Sequence, residues 1–188
     1  MSNFEGTADS ISIALSPDEA NILVNLVEQL LELLGEGNFI HHYDTSDPFA
    51  QLIGMPTEIV APEDPVLLRL LPSAYADPEA SADFRRYTEP ALRASKHRSL
   101  RSVREALVTI VDQTVDNPLL NKTSLNNLDA QIWLMALNDL RLSLAVRLNV
   151  DEESFTSFES LPDSDLQKPV YAVYFWLGWL QEGLLGLL

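Results

Sequence analysis

Ala136-Leu137-Asn138-Asp139-Leu140-Arg141-Leu142-Ser143-Leu144-Ala145-Val146-Arg147-Leu148-Asn149-Val150 reads as the second half of a helix that starts near Leu128. Apolar residues fall on almost every side of it, and a helix apolar all round is a buried helix. Arg141 shares a stripe with Leu134, Leu137, Leu144 and Leu148, at helical steps of three and four. A guanidinium among leucines is costly unless a carboxylate or another anion meets it. The stretch therefore predicts a central helix, Leu128 to Asn149, carrying one structural polar knot of Asn138, Asp139, Arg141 and Arg147. Arg141 is expected to be largely buried and held by a carboxylate. Around this helix the sequence predicts a mainly α fold: a single compact domain over residues 1–188 with about six helices.

Outward from that centre, the start and stop signals are clear. Ile11, Ile13 and Leu15 alternate with small residues, which allows a short N-terminal strand. Ser16-Pro17-Asp18-Glu19 then supplies an N-cap, a proline in the first turn and two acids, followed by Leu23, Val27, Leu30 and Leu34 at helical spacing. Gly35 and Gly37 stop this helix. Residues 36–65 are rich in proline and glycine and read as loop. Asp64-Pro65 opens a short helix that Pro72 ends, and Asp77-Pro78-Glu79 opens another to about Tyr87. Thr88-Glu89-Pro90 reads as a fresh start for a long helix to about Val115, and 119–127 as a polar connector with Thr123 or Ser124 as cap. Asp151 to Asp165 reads as a loose acidic stretch, and Lys168-Pro169 starts an aromatic closing helix.

Composition narrows the function classes. There are 12 Lys+Arg against 28 Asp+Glu, a formal net charge of -16, which disfavours a general nucleic-acid coat or an acidic membrane as partner. The chain has no cysteine, which excludes disulfides, thiolate metal sites and thiol chemistry. The apolar run after Val170 meets Gln181 and Glu182, too short for a bilayer, and Met1 to Ser10 has no signal-peptide pattern, so a cytoplasmic protein is expected. The only sulfur atoms belong to Met1, Met55 and Met135. Met135, on the central helix, is expected inside, so no covalent response to peroxide is expected of the chain itself.

One segment runs against the acidic balance. From Arg85 to Arg104 there are seven cationic residues and a single acid, Glu89. Arg93, His97, Arg101 and Arg104 share one helical stripe and form the candidate partner-binding surface, unless the protein's own acids face them. The stripe lacks interleaved aromatics, so single-strand stacking is not expected. His41 and His42 lie in the loop with Asp44 and Asp47, and a polar loop is favoured over a metal site. No GxGxxG, P-loop, HExxH or GxSxG pattern occurs. No catalytic residue, cofactor or metal is expected, and the protein is read as a non-enzyme.

Several blocks together resemble a known bacterial family. They are Asp64-Pro65-Val66-Leu67 through Leu70-Leu71-Pro72-Ser73-Ala74-Tyr75, Phe84-Arg85-Arg86-Tyr87-Thr88-Glu89, Leu137-Asn138-Asp139-Leu140-Arg141-Leu142 with Arg147-Leu148, and Trp176-Leu177-Gly178-Trp179-Leu180-Gln181-Glu182. They are similar to small helical proteins long grouped as a domain of unknown function and now labelled AosR-type oxidative-stress transcriptional regulators. The resemblance runs from about Leu15 to the end and is weakest in the proline-rich region. It implies a cytoplasmic, transcription-associated regulator acting with RNA polymerase partners or promoter DNA, and the acidic balance of the chain predicts that any direct DNA contact is weak. The alternative is an acidic interaction or scaffolding domain that touches no DNA. Regulators that sense oxidants directly commonly use cysteine, and this chain departs from that pattern.

Overall fold

A computed structural model describes residues 4–7, 10–35, 61–116 and 122–188. Three strands, β1 (Phe4–Thr7), β2 (Ser10–Ala14) and β3 (Lys122–Leu125), form an antiparallel sheet in that order. The alternation at Ile11 and Ile13 is indeed a strand, with both side chains buried. Phe4 pairs with Ile13 on one side, and Ile11 with Leu125 on the other. β3 corrects the connector expected there. Its Thr and Ser complete the sheet, and the cap of the following helix is Asn126.

Six helices are described: α1 (Pro17–Leu34), α2 (Pro65–Leu70), α3 (Pro78–Asp116), α4 (Asn127–Leu148), α5 (Ser154–Ser160) and α6 (Lys168–Leu185). The fold is mainly α, as the periodicity requires. Ser16 and Glu19 close a full capping box on α1, and Gly35 ends it at a φ of 79° that L side chains rarely adopt. Asp64 caps α2 by accepting from Val66 N at 2.7 Å. Asn126 and Asp129 form a second capping box on α4, which ends at Asn149 in the left-handed region.

The expected break at Thr88-Glu89-Pro90 does not occur: α3 runs unbroken for 39 residues with Pro90 inside it. A proline there removes one backbone hydrogen bond and crowds the preceding turn, at about 3 kcal/mol. Side-chain bonds span the weak point. Thr88 donates to Phe84 O at 2.9 Å, and Glu89 binds Arg85 and Arg93, each four residues away. The acidic stretch after Val150 likewise contains a helix, α5. Its Phe155 and Phe158 pack on Phe175 of α6 at 5.3 and 5.2 Å between ring centroids.

The core joins the sheet to α1, α2, α3, α4 and α6. Trp133, Leu137, Leu107, Leu23 and Leu180 are among its fully buried members. α4 is central, with contacts to every helix of this group and to the sheet. It is not buried all round, however. One side, running through Leu128, Gln131, Met135 and Asn138, faces solvent. The leucine count hid this, because most of the leucines lie on the remaining sides. No helix among the described residues is long and apolar enough to cross a membrane.

Candidate functional site

The four residues expected to form one knot on α4 point in separate directions. Asn138 is exposed. Asp139 is buried and accepts from Lys96 Nζ of α3 at 2.7 Å. Burial pushes the Asp139 carboxyl above its ordinary value, and the Lys96 ammonium pulls it partly back. Arg147 leaves the core and bonds Asp64, the α2 cap, at 2.7 Å. That guanidinium holds the Asp64 carboxyl below its ordinary value.

Arg141 is partly buried, with its Nε out of contact with solvent, but among the described residues it has no carboxylate partner. It donates to Gln181 Oε1 at 3.2 Å, and its guanidinium carbon lies 5.1 Å from the centroid of the Tyr174 ring. Gly178 makes room, since a Cβ there would meet Arg141 Cζ at 3.1 Å. The aromatic face and the amide replace the expected anion. Gly178 and Gln181 belong to the Trp-Leu-Gly-Trp-Leu-Gln block of α6 and Tyr174 lies two residues before it, and only packing α6 against α4 reveals the set.

The cationic stripe of α3 is divided between the fold and the solvent. Arg93 bonds Glu89 at 2.8 Å and donates to Leu34 O, at the C-terminal end of α1, at 3.2 Å. Arg104 bonds Glu28 of α1 through two nitrogens at 2.8 and 2.6 Å. These two arginines therefore serve the α1–α3 interface. His97 is half-buried. Arg101 is exposed, as is Arg98 one turn before it, and neither makes an ion pair with another described residue. Of the stripe, His97 and Arg101 are left without an ion pair among the described residues, and Arg98, outside the stripe, stands exposed beside them.

Residues not singled out from spacing alone form the most buried polar cluster. Glu89 and Arg85 are each 5% exposed. Arg85 bonds Glu89, donates to Leu71 O at 3.1 Å and reaches Ser73 Oγ at 3.2 Å. One carboxylate therefore orients two guanidiniums, and each of these satisfies a carbonyl at the end of another helix, α1 or α2. The signal was present as Arg85, Glu89 and Arg93 at four-residue steps.

A groove of about 480 Å³ lies between α1, α2 and α4, walled mainly by Leu26, Leu30, Leu33, Val66, Leu140 and Leu144. Its polar members include Ser143, Gln29 and Glu32, with no histidine among the described lining residues. Among the described residues no group of three or more metal-ligating side chains occurs, and His41 and His42 lie outside those residues. Met135, expected inside, is 48% exposed on α4.

The family model for a domain of unknown function, DUF2017, matches residues 1–188. The chain belongs to this family. Curated relatives carry a functional name. The oxidative stress regulator AosR of Mycobacterium tuberculosis is 31% identical over 177 residues, covering 90% of this chain and 78% of the relative. The Mycobacterium bovis protein of the same name matches to the same extent. The putative oxidative stress regulator AosR of Mycobacterium leprae is 33% identical over 183 residues, covering 89% and 77%. No solved structure matches this chain. These relatives support a regulatory role for the chain.

Proposed function

We propose that this protein is a non-enzymatic, cytoplasmic regulator of transcription in an oxidative-stress response, and that it works by docking on a protein partner. The observation that carries the reading is similarity over about nine-tenths of the chain to proteins named oxidative stress regulators. The arrangement of charge supports a protein partner over DNA. With Arg93 and Arg104 paired with Glu89 and Glu28, the exposed cations of α3's middle that make no ion pair among the described residues are Arg98 and Arg101, on a chain of net charge -16. Two cations neutralise too few phosphates to hold an acidic protein on duplex DNA. They suffice to orient a small acidic patch on a partner. The same observation favours, as second reading, an interaction domain that never meets DNA.

The test is a pull-down from the native host with the full chain and the double variant Arg98→Glu/Arg101→Glu, beside thermal melts of both. The reading expects partner recovery to fall while the melt holds. Unchanged recovery with an unchanged melt would reject this surface. A promoter shift assay at low and moderate salt separates the two readings: the interaction domain leaves the DNA unshifted at both.

A further inference from the structure

The chain contains no thiol, so all its sulfur chemistry rests on three thioethers. Met135 is the one among the described residues, and it stands 48% exposed. Its neighbours on α4 set it apart from a stray surface methionine. At steps of three and four its exposed face reads Leu128, Gln131, Met135 and Asn138, without one charged residue. The helix's charged side chains all lie elsewhere: Asp129 in the cap, Asp139 against Lys96, Arg141 against α6 and Arg147 against Asp64. Met135 therefore sits within an uncharged exposed strip on an acidic protein. It is absent from the hydrophobic core and from the partly buried residues packed on it.

We propose that Met135 is an oxidation site, at which a peroxide converts the thioether to the sulfoxide and makes the centre of this strip polar while the fold stays intact. A sulfur lone pair attacks one peroxide oxygen. With hydrogen peroxide, the O–O bond breaks as the S–O bond forms, and the departing hydroxide takes the proton of the oxygen now on sulfur and leaves as water. Sulfur is oxidised by two electrons and the peroxide is reduced by the same two. A thioether has no proton to lose, so the reaction needs no depressed pKa and no basic neighbour, unlike a thiol sensor. The product is reversible by methionine sulfoxide reductases. The backbone of α4 is anchored by Trp133, Ala136 and Leu137, buried members of a core to which Met135 does not belong. The proposal goes beyond the partner-docking reading and does not depend on Arg98 or Arg101.

The experiment treats the full chain and its Met135→Leu variant with hydrogen peroxide. Peptide mass spectrometry locates added oxygen, hydrophobic-interaction chromatography reads the surface, and a thermal melt reads the fold. Met135 should react within about tenfold of the rate of free methionine. The oxidised wild type should elute earlier, with its melt unchanged, and a methionine sulfoxide reductase should restore its retention. The Leu variant should keep its retention under the same treatment. Protection of Met135 would overturn the proposal. So would a retention shift that persists in the Leu variant, or a wild-type melt that falls as Met135 oxidises.

Discussion

Replacing Glu89 by glutamine isolates the most buried charge cluster of the molecule. The substitution keeps size and shape and removes only the negative charge between Arg85 and Arg93, whose side chains are 5% and 12% exposed. Both guanidiniums would keep their bonds to the carbonyls of Leu71 and Leu34. Arg85 would then lose its ion pair, and Arg93 its pair with Glu89. Breaking a buried pair by neutralising one partner costs roughly 3–5 kcal/mol, chiefly by stranding the remaining charge. In a chain of this size each kcal/mol moves the melt by about 2–4 °C, so the midpoint should fall by about 6–20 °C. Arg104→Ala is the control. Its pair with Glu28 is 43% and 46% exposed, and its loss should cost no more than about 1 kcal/mol. Thermal melts followed by circular dichroism measure both. If Glu89→Gln melts within about a degree of wild type, the carboxylate is not the anchor of the two arginines and the reasoning fails.

Arg141 offers a sharper contrast. Without a carboxylate to strand, Arg141→Met should cost only about 1–2 kcal/mol, from the lost ring contact and the Gln181 bond. Chemical denaturation would disprove this by returning a value in the range for orphaned buried charges. Gly178→Ala places a methyl 3.1 Å from Arg141 Cζ, so its penalty should shrink when Arg141 is already methionine, which a double-mutant cycle reads directly. Asp139 sets a pH dependence. Its raised carboxyl binds more protons folded than unfolded above pH 3.8, so its ionisation removes stability as pH rises through the folded value. Asp139→Asn should therefore gain on wild type as pH rises from 3.8 towards neutrality, in paired melts, and a constant difference would contradict the shift. Asp64 has the opposite sign. Held low by Arg147, it contributes stability above pH 3.8 that is lost as pH falls through its folded value, and Arg147→Ala should weaken that loss.

The helical elements were legible because their punctuation is local. Ser16 with Glu19, Asp64-Pro65 and the 3.6 periodicity of α1 each act within a few residues of where they stand. What escaped depends on distant partners. Lys122 to Leu125 is a polar segment with no strand signal of its own, and it becomes a strand only because β2 offers an edge. Pro90 reads as a stop, yet tertiary and side-chain bonds on both sides of it keep the helix going. Arg141 was rightly marked as needing an explanation. Its partners lie on α6, and spacing along α4 could not say whether they were charged. The cationic stripe was visible in outline, but only Glu28 and the end of α1 show which of its members are committed within the fold. The solvent-facing side of α4 was hidden by its leucine content, and with it the exposure of Met135.

The small sheet also has a consequence in time. β2 precedes its partner β3 by α1, α2 and the whole of α3. The Lys122–Glu5 ion pair that ties the sheet spans 117 residues of sequence. On the ribosome, β1 and β2 can form a hairpin at once, and one edge of β2 must then stay unpaired until β3 has emerged. An unpaired strand edge is a template for wrong pairing. Closing so long a loop is slow relative to forming the local helices. The helices should therefore acquire structure first and the sheet should lock last. Amide protection in a pulsed hydrogen-exchange experiment would then appear in α1 and α4 before it appears at Ile11 and Ile13.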